Sequence, residues 1–327
     1  MRTLPAWRYA LVAALVALAF HAVAAGQGPE QVVENTVGAA PPETAASNGA
    51  LDALARALAN PVNRLTWVSV GADYRGYGGD LPGASDQTGA AWRVSGGMAR
   101  TLPNGRHWQF RLDIPVNVDL PAWIVDFGDP IWELNRDYAD FLLRQSPQVT
   151  ASTGGFRSAH GHVADVGFDV GYGRAGADGR SWLVGFAAVF PSSQDQSVSR
   201  DQALLGPDLA VGFERGRGVY GARLRHLVDV SGDERFDTNE TTLEATVALD
   251  LGRGWQALAR PAVLRDWEAD AGNEWLVPLA AGAAKTFRVG RWPFRAVGEA
   301  TWYARTADRF GVEWQVAFSL TAVWPGG

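Results

Sequence analysis

From Leu65 onward the chain alternates apolar and polar residues, repeatedly, over stretches of about ten positions. A period of two places successive side chains on opposite faces of a strand, so each stretch reads as a β-strand with one apolar and one polar face. The last stretch is the clearest: Trp314, Val316, Phe318, Leu320, Ala322 and Trp324 share one face, opposite Glu313, Gln315, Ser319 and Thr321. Likewise Trp108, Phe110, Leu112, Ile114 and Val116 oppose Gln109, Arg111, Asp113 and Asn117. The pattern predicts twelve strands, near 65–74, 91–102, 107–117, 161–172, 181–190, 203–214, 219–229, 240–251, 255–266, 274–287, 294–303 and 311–324.

The connections alternate in length. Pro103-Asn104-Gly105-Arg106, Arg215-Gly216-Arg217-Gly218 and Gly252-Arg253-Gly254 are tight turns, whereas 75–90, 118–160, 191–202 and 230–239 are long and polar. Short turns at one end, long loops at the other and an even strand number are what an up-and-down antiparallel barrel in an outer membrane requires. A soluble β-barrel or sandwich shares the alternation, because periodicity alone does not say whether an apolar face meets a core or lipid.

Two features favour lipid. The polar faces carry both signs of charge at mid-strand, at Arg93, Arg111, Asp113, Asp165, Asp169, Asp208, Arg223, Arg225, Glu244, Arg260, Glu299 and Glu313, which suits a wet lumen where they set selectivity. Tryptophans fall at strand ends, with Trp67, Trp108, Trp182, Trp255 and Trp324 at the periplasmic level and Trp92, Trp267, Trp275, Trp302 and Trp314 at the outer level, forming two aromatic girdles. The lumen charges also have a structural reading, in which opposite signs pair across neighbouring strands and fill the interior.

The N-terminus reads separately. Arg2 and Arg8 precede the apolar run Tyr9 to Phe20 and the small residues Ala22 to Ala25, the pattern of a signal peptide over 1–25. That run is roughly 12 residues, short of the ~20 that a membrane-spanning helix needs. Residues 26–64 form a periplasmic tail and a short amphipathic helix, with Leu51, Leu54, Ala55 and Leu58 at helical spacing before Pro61. The barrel then occupies 65–325. The formal charge of −6 becomes −8 once Arg2 and Arg8 leave with a segment that holds no acid, which argues against nucleic acid as a partner. Absence of cysteine removes disulfides, thiolate metal sites and cysteine nucleophiles.

From Trp255 onward the landmarks are Gly254-Trp255, Pro261, Asp266-Trp267, Trp275 with Val277-Pro278-Leu279, the segment Gly282 to Phe287, Pro293, and Trp314 before a strand closing on Trp324-Pro325. Gly161 to Asp165 entering a strand, and Phe186 to Pro191 followed by Leu205-Gly206-Pro207, keep the same order. This series resembles the outer-membrane barrel family of the meta-pathway of phenol degradation, whose members are described as transporters. The resemblance implies a barrel passing small, often aromatic or hydrophobic, compounds. Two departures are the long 118–160 loop and an end on Gly326-Gly327, where a barrel-assembly signal usually finishes on an aromatic.

Other chemistry is weakly signalled. Ser158, His160 and His162 offer a nucleophile and bases for a barrel hydrolase, but no nucleophile elbow surrounds them. His160, His162 and Asp165 are an incomplete metal set, and Asp229, Asp233, Glu234 and Asp237 read as a solvated acidic loop. Ile131, Leu134, Tyr138 and Phe141 have helical spacing in the longest loop and make a candidate constriction if that loop folds inward. The expectation is therefore a non-enzymatic outer-membrane channel without cofactor or metal. Its partners are outer-membrane lipid and lipopolysaccharide, a small-molecule solute and the barrel-assembly machinery. The rivals are a plugged, surface-anchoring barrel and a barrel hydrolase.

Overall fold

The computed structural model describes residues 43–125, 154–192, 202–232 and 237–324. One helix, α1 (Glu43–Ala59), precedes thirteen strand segments: β1 (Thr66–Gly78), β2 (Thr88–Thr101), β3 (Arg106–Val125), β4 (Gly154–Val163), β5 (Val166–Ala175), β6 (Arg180–Phe190), β7 (Gln202–Arg215), β8 (Gly218–Gly232), β9 (Asn239–Gly252), β10 (Trp255–Asp266), β11 (Trp275–Val289), β12 (Trp292–Arg305) and β13 (Gly311–Trp324). Each pairs antiparallel with its sequence neighbour, except that β4 and β5 both pair with β3. β13 returns to β1 along its whole length, from Thr66 opposite Trp324 to Gly78 opposite Gly311. The sheet thus closes on itself and leaves no seam between first and last strands.

Thirteen segments make twelve staves. β5 pairs with the first half of β3, Arg106–Asp113, and β4 with its second half, Val116–Val125, so β4 and β5 are one strand interrupted at Ala164 and Asp165. The ladder survives the break: the Ala164 amide donates to Pro115 O at 3.0 Å. The Ser192 hydroxyl accepts the Val166 amide at 3.1 Å and donates to Ala164 O at 2.9 Å. This corrects the expected 118–160 loop. β3 runs on to Val125 and β4 begins at Gly154, because the two strands continue as a paired ribbon past Phe190, where β6 ends. The expected constriction at Ile131, Leu134, Tyr138 and Phe141, the leader over 1–25 and residues 233–236 of the acidic loop lie outside the described residues.

Burial settles which way the faces point. Along β7 the exposed residues before the turn at Arg215 are Leu205, Pro207, Leu209, Val211 and Phe213, and the buried ones are Gln202, Leu204, Gly206, Asp208, Ala210 and Gly212. Large apolar side chains stand on the outside while an aspartate is fully enclosed. A water-soluble barrel sorts its residues the other way. Val70, Trp92, Val184, Phe186, Leu243, Leu249, Leu279, Trp302, Val316, Phe318 and Leu320 continue the exposed apolar surface round the cylinder. Such a surface is the belt of a membrane-spanning barrel, and closure satisfies the backbone within it. No helix among the described residues is long and apolar enough to cross a membrane, so the crossing is made by strands.

Candidate functional site

α1 does not hang below the barrel. It lies across the short-turn end and packs on β9, β11, β10 and β8. Its apolar stripe turns Ala55 fully inward, and Ala59 packs against Val219, Ala248, Leu258 and Ala284, residues on the inner faces of β8 to β11. The chain then bends inside the wall. Val62 is enclosed with Leu183 and Ala210 of β6 and β7. The Asn60 side chain sets this bend, accepting the Val62 amide at 2.9 Å and the Ser181 hydroxyl at 3.1 Å. Asn63 repeats the device, accepting the Leu65 amide at 3.2 Å and donating to Asn60 O at 3.3 Å.

Two interior glycines make the seat. A Cβ at Gly221 would lie 2.6 Å from the Pro61 ring, and one at Gly212 would strike the Asn60 amide. Polar contacts then fix the plug. Arg56 donates to Asp250 at 2.6 Å, and Asp52 accepts the Gly254 amide in the β9–β10 turn. Arg295 of β12 donates to Ala55 O at 2.9 Å, and Arg111 of β3 donates to Pro61 O. Residues 43–64 therefore form a stopper whose last helical turn and bend face the lumen.

Above the stopper lies a cavity of about 470 Å³. Of the expected lumen residues, Arg93, Arg111, Arg223, Glu244, Arg260 and Glu299 line it. Most of its charges are paired across the wall. Arg223 donates to Asp208 at 2.6 and 2.7 Å and meets Asp169 at 2.7 Å, while Arg225 meets Asp169 at 3.2 Å. Arg93 meets Asp113 at 2.7 Å, and Arg260 Nε meets Glu299 at 2.7 Å. These pairs join side chains that alternation places on inner faces, and the strand register brings them within reach. Asp165 sits instead in the break between β4 and β5, and Glu313 stands near the long-loop end of β13.

Sequence reasoning missed Arg295, Asp73 and the stopper's place. Asp73 lies on the inner face of β1, lines the cavity and pairs with Arg75. The signal was there, since Ser69, Gly71, Asp73 and Arg75 alternate with Val68, Val70, Ala72 and Tyr74.

The expected girdle residues divide. Trp92, Trp108, Trp182, Trp255, Trp267, Trp275, Trp302 and Trp314 are exposed on the outer surface. Around the short-turn end Trp108 packs on Tyr172 at 5.2 Å between ring centres, and Tyr172 on Trp182 at 6.3 Å. Trp324 meets Trp292 edge-on at 5.6 Å. Trp67 departs from the expectation. It lies opposite Val323, an enclosed residue, and lines the cavity, because in β1 the even-numbered residues face outward.

Of the hydrolase candidates, the Ser158 side chain is described, whereas those of His160 and His162 lie outside the described residues. The Ser158 hydroxyl donates to Asp119 across the β3–β4 ribbon, and no group of three metal-ligating side chains occurs among the described residues.

No protein-family model matches the chain, and no curated protein matches it in sequence. Solved structures do match in shape. An outer membrane channel from Pseudomonas putida F1 superposes with a TM-score of 0.57 at 8% identity, over 81% of this chain and 97% of that one. The NanC porin gives 0.44 at 12% identity, over 79% and 98%. The TodX monoaromatic hydrocarbon channel, in a deletion mutant, gives 0.42 at 10% identity, over 84% and 94%. The fold is that of outer-membrane barrels.

Proposed function

We propose that the protein is an outer-membrane channel for a small solute, closed at its periplasmic end by residues 43–64. The observation that carries this reading is the cavity. It is walled by paired charges, surrounded by an apolar belt and floored by a segment that belongs to no strand. A barrel serving only as an anchor has no need of a separate floor; side chains of its own strands fill small barrels. The shape shared with the P. putida channel and the Trp and Pro landmarks from Trp255 onward both support membership of the phenol meta-pathway family. On this reading the chain is exported by residues 1–25, folded by the barrel-assembly machinery and bounded by lipid and lipopolysaccharide. It passes solutes that are often aromatic or hydrophobic, and it carries out no chemical step.

The test is conductance of the mature chain in a planar bilayer, beside Gly221→Leu. The leucine claims the space of Pro61 and unseats the stopper. We expect brief, infrequent currents from the native chain and a steady current from the variant. A folded, heat-modifiable variant without current would refute the channel and leave an anchoring barrel.

A further inference from the structure

Most lumen charges are matched by a charge of opposite sign. Arg93, Arg223, Arg225 and Arg260 all meet carboxylates of the wall. Among the described residues two cavity-lining guanidiniums do not: Arg111 and Arg295. Both are held on main-chain carbonyls of the stopper, Arg295 on Ala55 O and Arg111 on Pro61 O. Arg111 also faces the Gln109 side-chain amide, whose oxygen, with the amide turned over to satisfy both groups, accepts its Nε at 2.9 Å and Nη2 at 2.8 Å. Against these two cations stands Glu244, a cavity carboxylate with no ion pair among the described residues, so the unpaired groups of the lining carry an excess of one positive charge.

A carbonyl oxygen is a substitute partner for a guanidinium. A carboxylate presents two oxygens to the planar fork, and charge-assisted bonds of that kind are about twice as strong as those to neutral acceptors. The surroundings of Arg295 say what else the ligand carries. Val297 follows on the same face, and it packs with Ala59 against the cluster that contains Leu258. Leu58, Ala59, Leu258 and Val297 all line the cavity. Its volume of about 470 Å³ falls within the range of small-molecule sites.

We propose that this cavity is a binding site for a small carboxylate with an apolar body, whose head takes Arg295 and Arg111 and whose body lies on the apolar floor. Filling the site removes two of the bonds that hold the stopper, because the ligand and the stopper's carbonyls compete for the same donors. The solute is then also the signal that opens its own path. This rests on the channel reading above and extends it to a solute class and a gate.

Benzoate is a suitable probe, with benzyl alcohol as its uncharged counterpart. In bilayer recordings of the mature native chain, millimolar benzoate should raise the open fraction at least about fivefold, the lower end of ordinary coupling between sites, and benzyl alcohol should not. Arg295→Met and Arg111→Met should each raise the current without ligand and flatten the benzoate response. If either fails to fold by gel migration, Arg295→Lys keeps the charge but loses the fork, and should shift the half-effective benzoate concentration upward about tenfold. Equal responses to the two probes, or a response that survives Arg295→Met, would overturn the site. Calorimetry in detergent separates this from failure of the channel. If Gly221→Leu carries no current yet native protein binds benzoate and Arg295→Met does not, the site stands and the channel falls. If Gly221→Leu conducts while the native chain binds no benzoate, the channel stands and the site falls.

Discussion

Phe318 stands at the centre of β13 with 73% of its surface exposed, and Ser319, the next residue, faces the cavity. If the outer face meets water, Phe318→Arg is an ordinary surface change, worth within about 0.5 kcal/mol. If it meets hydrocarbon, two costs arise. The exposed part of an aromatic side chain of about 150–250 Å², at roughly 25 cal/mol per Å², loses about 3 kcal/mol of transfer free energy. A guanidinium near the bilayer midplane adds about 2–4 kcal/mol, reduced where the side chain reaches the interface. The expected destabilisation is therefore about 5 kcal/mol, a large part of the stability of a typical domain. Ser319→Arg should cost under about 1 kcal/mol, because the new charge enters a polar lumen where substitutions tune selectivity. The assay is reversible unfolding in urea from lipid vesicles, followed by tryptophan fluorescence. A Phe318→Arg chain as stable as the Ser319→Arg chain would refute the orientation of every strand described above, since the two positions differ only in the face they occupy.

Three further outcomes follow from single contacts. Asp208→Asn removes a fully buried carboxylate from Arg223, which keeps Asp169 at 2.7 Å, and should cost about 1–3 kcal/mol in the same vesicle assay. Glu274, in the loop before β11, is held below the usual carboxylate range by hydrogen bonds from its own amide and that of Gly272. Its folded value is depressed, so the contribution is complete at neutral pH and fades as pH falls through that lowered value; the protection of the Gly272 amide against hydrogen exchange, corrected for the intrinsic pH dependence of exchange, should fall there and stay level at higher pH. Gly221→Leu, besides conducting, should expose residues 43–64 to protease while the strands stay protected.

Much of the wall was legible because lipid imposes a strict rule on alternate residues. β7 and β13 follow from the sequence residue by residue: Asp208, opposite the apolar face of β7, is fully enclosed, and Gln315, Ser319 and Thr321 of β13 line the cavity. The pairs themselves were not legible. That Arg223 reaches both Asp208 and Asp169 depends on the register of β7 and β8 and on the curvature of the wall, and neither is encoded locally. Trp67 misled because it is large and near a strand end, whereas the parity of β1 is carried by its smaller neighbours Val68 and Val70. The helix was visible in the spacing of Leu51, Leu54, Ala55 and Leu58, but its seat was not. The trace it leaves in the barrel is the absence of side chains at Gly212 and Gly221, and a glycine in a strand has several other meanings.

The two kinds of polar contact inside this barrel differ in what becomes of them when they part. Asp208 and Arg223 both belong to the wall, so separating them leaves a fully buried carboxylate with no compensating solvent, and the pair is in effect permanent. Arg56 and Asp250 belong to different bodies. Asp250 keeps the Gln256 amide at 2.8 Å whether or not the stopper is present, and Arg56 is already 29% exposed. Once the stopper withdraws, water reaches both groups, and the loss approaches the roughly 0–1 kcal/mol of a solvated ion pair rather than that of a stranded charge. The carbonyls of Ala55 and Pro61 gain water in the same way. Charge pairing therefore holds the wall fixed while it leaves the stopper exchangeable. Among the cavity-lining cations, Arg111 and Arg295 are the ones bound to the stopper's main chain, and a ligand that competes for them acts where the structure yields most readily.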